Sequence, residues 1–591
     1  MRHANLRSFL ETLRREQELH VIDQAIDPRL ELAEIQRRVV AAQGPALLFT
    51  RVNGTQFPVA TNLFGTRRRI DLAFGEEPTR FFKRLVEAAE TLMPPSVSKL
   101  WSFRDLARTG LRVGRTSRST GPVLEKVIDP PRLTSLPQIQ SWPEDGGPFI
   151  TLPLVYTEHP STGKGNLGMY RNQIYDDQTA GMHFQIHRGG GFHYHEAEKQ
   201  NRALPVNLFV GGPPALIMSA VAPLPENVPE LILASLLQDG RLAQVFDPRI
   251  SPLPIVAEAD FLLVGQIPPR TRRLEGPFGD HYGYYSLAHE FPVFEVQKLY
   301  HRRDAIFPAT VVGRPRQEDH YIGEYLQELF APLFPLVMNG VVDVWAYDDA
   351  GVHPLASAVV RERYRREAFM AAMRILGEGQ LSLTKFLIVT DARLDLKNFR
   401  SLLVHVLERA DFATDLFIFS NVSQDTLDYT TRTLNQGSKA ILLGLGDKKY
   451  QLQETPSATL RESVFRRQAV FVPGVLVVEG PPWQEGDTVV EDLLRETAVH
   501  PFRLVILVDD AADCVQDEAA FLWTVFTRLE PAADIYAREA RLLRYHVRLS
   551  APVVFDCRIK GWFPPLVEPL PETVQRVDSL WPSIFPGSRS G

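Results

Sequence analysis

The sequence predicts a multidomain protein of mixed α/β and β class, in which a β-rich middle third separates two α/β regions. The chain has 591 residues, more than one ordinary domain needs. Both ends alternate apolar strands with amphipathic helices, a pattern typical of α/β units. The middle third has many short apolar strands between Gly- and Pro-containing turns, which favours an antiparallel sheet or barrel.

The first hundred residues carry the signals of an α/β domain. Apolar residues recur at helical spacing over 6–13, and Asn5 is placed to cap that helix. A second helix is predicted over 30–42, followed by buried strands over 45–50 and 57–62.

The middle third is predicted to form mainly strands. Strand-like segments cover 149–156, 206–210, 261–265 and 293–300, and the clearest helix runs over 231–238. We therefore expect a sheet built from strands that are distant in sequence.

The last third alternates again and contains two similar strand–helix units. A strand over 385–391 ends in an acidic residue and precedes a helix over 402–407. A strand over 503–510 and a helix over 521–529 repeat this pattern. The repetition indicates a degenerate internal duplication. The alternative is that any two strand–helix units look alike in sequence.

Composition excludes several classes of protein. Lys and Arg number 65 against 71 Asp and Glu, for a net charge of −6, so a nucleic-acid partner is not expected. The two cysteines, Cys514 and Cys557, lack the spacing of a zinc ribbon, an iron–sulfur site or a disulfide scaffold. With no apolar signal segment at the start and no run of eighteen apolar residues, we expect a cytoplasmic protein without a transmembrane helix.

Polar side chains that could bind a metal are concentrated between positions 165 and 191. Alternate residues of a strand share a face, so His183, Gln185 and His187 are predicted to point the same way. An Asn and a His facing each other, with a carboxylate, would suit Mn²⁺ or Mg²⁺ better than Zn²⁺. A solvated sheet face is the alternative interpretation.

The glycine run after Arg188 is a second polar feature. A guanidinium followed by three glycines offers a charge and accessible backbone N–H groups, which suits a phosphate. The run has neither the dinucleotide-binding pattern nor the Walker lysine, so a nicotinamide or ATP enzyme is not expected. His193, His195 and Glu196 could be taken for a metal site, but they lack the spacing of a zinc-protease helix.

Two acids lie on either side of a Gly-Pro-Phe-Gly turn. Such a turn can bring Glu275 and Asp280 into one pocket, where burial and mutual repulsion would raise at least one pKa towards neutrality. Arg171 is the candidate to hold the other acid ionised. This arrangement predicts acid–base chemistry, and a loop with solvated acids is the alternative.

Four blocks of this sequence resemble the signature motifs of the UbiD family of decarboxylases, which use prenylated FMN. The blocks are Asn-Leu-Gly-Met-Tyr-Arg at 166–171, His-Arg-Gly-Gly at 187–190, the segment 222–230, and Glu-Gly-Pro-Phe-Gly-Asp at 275–280. Gly-Ser-Lys at 437–439 follows in the family's order. The similarity runs from about Asn5 to the C-terminal region.

The resemblance implies roles for individual residues. It implies that Asp280 donates a proton within an ionic network with Arg171 and Glu275. Backbone carbonyls near positions 219–222 fall where some members of the family bind K⁺. The implied ligands of Mn²⁺ or Mg²⁺ are Asn166, His187 and Glu230. The implied flavin contacts are Met169, Tyr170, Arg171, His183, Phe184, Gln185, Arg188 and Gly189.

The implied activity is a reversible, non-oxidative decarboxylation of an aromatic or α,β-unsaturated carboxylic acid. A hydroxyaromatic acid of quinone biosynthesis or aromatic metabolism is the expected substrate. Prenylated FMN would be the electron sink, and a separate flavin prenyltransferase would supply it. The alternatives are a conventional FMN oxidoreductase and a non-catalytic subunit of a carboxylase complex. His183 departs from the Arg of quinone-pathway members, and Asp280 is like the hydroxyaromatic-acid branch, whereas cinnamic-acid-type members carry Glu.

The resemblance also implies three domains. These are an N-terminal α/β domain over 1–120, a central split β-barrel of the flavin-reductase type over 121–330, and a C-terminal α/β domain over 331–591. The last domain is expected to contain a duplicated or inserted unit around 437–501 and a terminal helix for oligomerisation. A homodimer or homohexamer is the expected assembly.

Overall fold

The chain folds into two compact units. A computed structural model describes residues 2–185, 188–224, 228–314, 316–456, 458–461 and 463–586. Unit 1 comprises Met1–Leu329 and Pro565–Gly591, and unit 2 comprises Phe330–Pro564. In the described part of the chain, no helix is long and apolar enough to cross a membrane.

Up to residue 330, helices alternate irregularly with short strands. The helices are α1 (Leu6–Arg15), α2 (Glu31–Ala41), α3 (Arg67–Phe74), α4 (Glu77–Thr91), α5 (Val97–Ser102), α6 (Arg104–Arg112), α7 (Gly189–Lys199), α8 (Pro214–Val221), α9 (Glu230–Leu237) and α10 (Glu318–Phe330). The strands are β1 (Leu19–Ile26), β2 (Ala46–Val52), β3 (Val59–Thr61), β4 (Arg115–Arg118), β5 (Lys126–Ile128), β6 (Phe149–Ile150), β7 (Pro153–Glu158), β8 (Gly165–Gly168), β9 (Asn172–Gln173), β10 (Thr179–Gly181), β11 (Leu204–Val210), β12 (Leu242–Val245), β13 (Ile255–Val256), β14 (Phe261–Ile267), β15 (Arg272–Glu275), β16 (Phe278–Gly279), β17 (Tyr285–Ser286), β18 (His289–His301) and β19 (Phe307–Pro308).

After residue 330 the alternation becomes regular. The helices are α11 (Phe334–Val337), α12 (Glu367–Ile375), α13 (Phe399–Leu407), α14 (Phe412–Asp415), α15 (Val489–Arg495), α16 (Ala511–Cys514), α17 (Glu518–Arg528), α18 (Pro531–Asp534) and α19 (Pro571–Ile584). The strands are β20 (Val341–Ala346), β21 (Leu355–Val360), β22 (Phe386–Thr390), β23 (Leu416–Ser423), β24 (Gln436–Gly444), β25 (Arg467–Val472), β26 (Val475–Glu479), β27 (Leu504–Val508), β28 (Ile535–Leu543) and β29 (His546–Asp556).

The predicted N-terminal elements are confirmed. Asn5 caps α1 by accepting a hydrogen bond from the Ser8 backbone N–H at 3.0 Å, and the apolar side chains that recur over 6–13 are buried. A four-stranded sheet in the order β1-β2-β3-β19 lies beside these helices, and its apolar residues join the core of unit 1.

The middle of unit 1 is a mainly antiparallel sheet, as predicted. Its strands follow the order β10-β18-β14-β11-β7-β8, and each neighbouring pair in that path is antiparallel. Over the described residues, no pairing joins β8 back to β10, so the path is open rather than a closed barrel. Among the candidate site residues, Asn166 lies on β8, Glu275 ends β15, and Arg171 and Asp280 follow β8 and β16.

One predicted strand is wrong. Strand β10 ends at Gly181, and 182–185 form neither helix nor strand, so His183 and Gln185 do not share a strand face. His187 lies outside the described residues. The glycine run opens helix α7, although glycine is among the poorest helix formers. Polar alternation is a weak signal for a strand because it carries no apolar face to bury, and here the Gln185 carbonyl instead lies close to Gly191 of α7.

Unit 2 contains two five-stranded sheets of the same topology. Their orders are β20-β21-β22-β24-β23 and β25-β26-β27-β29-β28. In each sheet the two central pairings are parallel and the two outer pairings antiparallel. One apolar core contains residues of both sheets. The segment 437–501 supplies nearly all of β24, together with β25, β26 and α15.

The last helix returns to unit 1. Helix α19 packs on α2, where Arg38 pairs with Asp578 at 2.6 Å and lies over the ring of Trp581. The ring of Phe585 stacks on His20 with centroids 4.4 Å apart. The predicted role of this helix in oligomerisation stays a prediction.

Candidate active site

Arg171 joins the two acids of the Gly-Pro turn. It follows β8, and its Nε donates to Glu275 Oε1 at 3.0 Å, while one Nη donates to Asp280. Its other Nη donates to Ser286 Oγ at 2.9 Å, and its guanidinium lies 4.4 Å from the centroid of the Phe278 ring. Glu275 and Asp280 are only 1% and 7% exposed. The structure thus brings together all three residues of the predicted ionic network.

Strand pairing explains why the acids meet. Glu275 ends β15, which pairs with β18, and Asp280 follows β16, which pairs with β17. Between them, Gly276 has φ +96°, a conformation that favours glycine. The turn therefore aims both carboxylates at Arg171.

Imidazoles occupy the remaining oxygens of the two acids. Nδ1 of His183 lies 2.7 Å from Glu275 Oε2, and Nδ1 of His281 lies 2.6 Å from Asp280 Oδ1. The His281 backbone N–H also donates to that Asp280 oxygen at 2.7 Å. Sequence reasoning missed His281 and Ser286. His281 could have been found because it directly follows Asp280 in the sequence. No sequence pattern pointed to Ser286.

The prediction that at least one of these acids has a raised pKa is wrong in this arrangement. Burial favours a higher pKa for Glu275, but Arg171 and His183 outweigh it and lower its pKa to about 2. Burial is likewise opposed at Asp280, where His281 and Arg171 hold the pKa far below its usual range. Both carboxyl groups are therefore ionised in the protein by itself.

His183 retains unused hydrogen-bonding capacity. Its ring packs on Phe291 with centroids 4.2 Å apart, and its buried Nε2 has no hydrogen-bond partner among the described residues. Nearby, burial and the neighbouring His183 lower the pKa of His289. A buried polar atom without a partner costs free energy, so this side of the trio suits a ligand that offers one.

Two of the three predicted metal ligands lie close together. Glu230 opens α9, and its Oε2 accepts from the backbone N–H of Leu167, next to Asn166, at 3.1 Å. Burial raises the pKa of Glu230, and within the described chain no Lys or Arg pairs with it. An amide oxygen beside a half-buried carboxylate fits Mn²⁺ or Mg²⁺. His187, the third predicted ligand, lies outside the described residues.

The other possible metal site is not supported. Nδ1 of His193 lies 2.9 Å from the hydroxyl of Thr157. No group of three or more His, Cys, Asp and Glu side chains is arranged to hold a metal ion in the part of the chain that the structure describes. His193, His195 and Glu196 lie on helix α7.

The predicted flavin contacts surround the start of α7. The hydroxyl of Tyr170 accepts from the Gly190 N–H at 3.0 Å, and its ring meets Phe184 edge-on with centroids 4.9 Å apart. A Cβ on Gly189 would lie 2.1 Å from Asn166 Oδ1, so this close approach requires glycine. Arg188 takes the N-cap position of α7, and Gln185 packs its carbonyl against Gly191. Met169 directly precedes Tyr170.

These residues fit an anionic cofactor. The first N–H groups of a helix and a guanidinium form an electropositive site, while Tyr170 and Phe184 provide aromatic surface. The Asn166–Glu230 pair lies on the same side, since Gly189 touches Asn166.

Comparison with known proteins identifies related sequences along most of the chain. Family models of 3-octaprenyl-4-hydroxybenzoate carboxy-lyase match residues 10–89 (N-terminal domain), 115–315 (Rift-related domain) and 320–444 (C-terminal domain). A protein of Chlamydia trachomatis is 47% identical over 589 residues, which is 98% of this chain and 100% of that protein. A Chlamydia pneumoniae protein, named as one of the subunits of 4-hydroxybenzoate decarboxylase, is 45% identical over 591 residues, 99% of each chain.

Solved structures share the fold. Vanillic acid decarboxylase of Sedimentibacter hydroxybenzoicus, in its closed form, has a TM-score of 0.66 at 24% identity, over 77% of this chain and 97% of that chain. An evolved dimeric form of the UbiD-class enzyme HmfF of Pelotomaculum thermopropionicum, in complex with prFMN, has a TM-score of 0.61 at 23% identity, over 77% of this chain and 97% of that chain.

The matched domains together with this site define an enzyme of the carboxy-lyase class. Within that class, the chain belongs to the UbiD family.

Proposed function

We propose that this enzyme reversibly decarboxylates an aromatic or α,β-unsaturated carboxylic acid, using prenylated FMN. The observation that carries the proposal is that one guanidinium, that of Arg171, donates hydrogen bonds to both Glu275 and Asp280. The name of the Chlamydia pneumoniae relative supports a hydroxyaromatic acid as substrate, and the prFMN complex of HmfF supports the cofactor.

The residues around α7 would hold the cofactor. Tyr170, Phe184, Arg188 and Gly189 would contact the flavin and its phosphate, with Met169, His183 and Gln185 beside them. Asn166 and Glu230, together with His187, would bind Mn²⁺ or Mg²⁺ against that phosphate. When bound, the modified flavin supplies the electron sink that loss of CO₂ from an sp² carbon requires.

Asp280 is proposed to protonate the carbon that loses CO₂. Each turnover takes up one proton, because a carboxylate leaves as neutral CO₂ and its carbon gains a hydrogen. Arg171 cannot supply this proton, since guanidinium stays charged in proteins. A bound substrate carboxylate places a further negative charge beside the trio, which raises the pKa of Asp280 and favours its protonation. Arg171 and Glu275 then orient the acid.

The finer structural assignments belong to the same proposal. The central sheet is proposed to be the split barrel of the family, and the two sheets of unit 2 to derive from one duplicated unit. The expected domains remain 1–120, 121–330 and 331–591. We further propose that the protein is cytoplasmic and that K⁺ binds near 219–222. A flavin prenyltransferase would supply the cofactor, and the chain would form a homodimer or homohexamer.

A second candidate is a component of a multi-protein decarboxylase. The Chlamydia pneumoniae relative favours it, since its name describes one subunit of a larger enzyme. The intact trio Arg171, Glu275 and Asp280 favours a catalytic rather than a supporting role in such an assembly, because burying three charges is costly without a use.

The first test is chemical analysis of cofactor released from protein co-expressed with a flavin prenyltransferase. Prenylated FMN, with about one Mn²⁺ per chain as expected from a single ligand set, supports the proposal. Plain FMN without metal would favour a conventional oxidoreductase. Absence of flavin would favour a non-catalytic role.

Replacing Asp280 by Asn tests the proton donor. Asp280→Asn should retain cofactor but lose at least about 10³-fold in turnover, because general acid catalysis contributes 10²–10⁴-fold and the neighbouring Glu275, whose pKa is lowered to about 2, is a poor substitute as proton donor. CO₂ release and flavin absorbance are measured on the same sample. Turnover like that of the unaltered enzyme would rule out this role.

A further inference from the structure

The loop between Glu275 and Asp280 is hydrogen-bonded to two residues outside it, Asp145 and Gln173, which also belong to unit 1. We propose that Asp145 and Gln173 are positioning residues, which fix the separation of Glu275 and Asp280 so that Arg171 can hold both. This inference rests on the proposed function, since it assigns the geometry of the same acids. Neither residue belongs to the motifs that revealed the site.

Asp145 links two stretches of backbone through its two oxygens. Oδ1 accepts from the Gly279 N–H at 2.8 Å, directly before Asp280. Oδ2 accepts from the N–H groups of Ser141 and Trp142 at 3.0 and 2.9 Å. A carboxylate is suited to this task because both of its oxygens accept.

Gln173 holds the other end of the loop. Its Oε1 accepts from the Gly276 N–H at 2.8 Å, directly after Glu275, and its Nε2 donates to the Gly146 carbonyl at 2.6 Å. The Gly146 N–H in turn donates to the Pro277 carbonyl at 2.7 Å. Backbone groups at three successive points of the loop are therefore bonded to Asp145, Gly146 or Gln173.

Close packing leaves the loop little room to shift. A Cβ on Gly146 would lie 2.2 Å from the Gly276 carbonyl oxygen, and a Cβ on Gly279 would lie 2.1 Å from the Trp142 ring. Trp142 is fully buried, with the Arg37 guanidinium 4.1 Å from its ring centroid. The segment that holds the loop is thus itself fixed.

An amide of the same size cannot replace the Asp145 carboxylate without loss, because both carboxylate oxygens accept from backbone N–H groups. A buried carboxylate is costly, and burial raises the pKa of Asp145 to about 7 despite its three N–H partners. Asn at this position would avoid that cost but would turn a donor NH₂ towards one of the N–H groups. What the carboxylate adds is a fixed position for the Gly279 N–H, and displacements of about 1 Å in a catalytic group can cost 10²-fold in rate.

Asp260 provides a matched control in the same unit. Like Asp145, Asp260 is a buried carboxylate that accepts hydrogen bonds from backbone N–H groups. Its donors are Gly212 at 2.9 Å and Ile306 at 3.1 Å. Burial raises its pKa to about 7 as well. It bonds no part of the loop at 275–280.

The experiment compares Asp145→Asn and Asp260→Asn in cofactor-loaded enzyme. We expect both to lower the melting temperature similarly, but only Asp145→Asn to lower kcat, by roughly 10–100-fold with KM within about threefold. The solvent isotope effect on kcat should rise in Asp145→Asn, because the misplaced Asp280 makes proton transfer slower. A crystal structure of each variant measures the separation of the Glu275 and Asp280 carboxylates.

Gln173→Met serves as a second variant if Asp145→Asn does not fold. It keeps the side-chain volume but loses both hydrogen bonds, and kcat should fall about tenfold. Equal kcat in the Asp145 and Asp260 variants, or an unchanged isotope effect, would overturn the positioning role. Failure of the proposed function looks different, because the unaltered loaded enzyme would then release no CO₂.

Discussion

Arg171 in unit 1 and Arg558 in unit 2 each pair with two acids, and the two pairs of acids differ in what surrounds them. In unit 1, Arg171 makes one hydrogen bond to each of Glu275 and Asp280. In unit 2, Arg558 binds Asp556 through two nitrogens, at 2.9 and 2.8 Å, and reaches Asp487 at 3.0 Å.

The neighbours of the acids explain the difference in role. Asp487 also accepts from the backbone N–H groups of Gln484 and Val489 at 3.0 and 3.2 Å, and these donors carry no titratable charge. The acids beside Arg171 instead contact the imidazole side chains of His183 and His281. The Arg558 triad is therefore fixed by backbone groups, which fits a structural role, whereas the Arg171 triad adjoins imidazoles, which fits its proposed part in proton transfer.

The largest expected effect is loss of stability on removing Arg558. Arg558→Met leaves two acids without their shared cation and should lower the free energy of unfolding by about 3–5 kcal/mol. Denaturant titration measures this. The control is Arg541→Met, since Arg541 pairs with Glu539 at 3.0 Å but is 79% exposed, and its loss should cost under about 1 kcal/mol. Equal costs in both variants would contradict the structural role.

Replacing each arginine by lysine should distinguish the role of Arg171 in turnover from the role of Arg558 in stability. Arg171→Lys should lower turnover roughly 10²-fold, because one ammonium cannot hold two acids and Ser286 in fixed directions. Arg558→Lys should lower stability and leave turnover of the folded enzyme unchanged. Steady-state CO₂ release and denaturant titration are run on both variants. A loss of turnover only in the Arg558 variant would reverse the assignment.

The smallest expected effect is a change in how steeply the free energy of unfolding falls at acid pH. Because the pKa of Glu275 is lowered from 4.5 to about 2 on folding, its contribution is present above pH 4.5 and is lost as the pH falls towards 2. Glu275→Gln should therefore flatten the fall in stability over that range. Asp487→Asn should act in the same direction, because burial, which favours a higher pKa for Asp487, is outweighed by its bond to Arg558. Unfolding midpoints between pH 2 and 7 test this, and an unchanged slope in the Glu275 variant counts against it.

Sequence patterns predicted elements better than they predicted the site's charge state. Periodicity and capping were sufficient for α1, and apolar runs for β14 and β27, because burial alone determines those segments. The resemblance brought Arg171, Glu275 and Asp280 together correctly. It could not show that His281 and the guanidinium of Arg171 lower the pKa of Asp280 more than burial raises it. The sign of such a shift depends on distances between residues about a hundred positions apart. Ser286 was missed for the same reason.

The return of α19 to unit 1 sets an order of assembly during synthesis. Val577, Trp581 and Ile584 belong to the core of unit 1, yet they follow the whole of Phe330–Pro564 in the chain. At typical rates of translation, on the order of tens of seconds separate the synthesis of α10 from that of α19. During that time the surface of β1 and α2 that will receive the helix is uncovered, so nascent unit 1 exposes apolar side chains until α19 has been made.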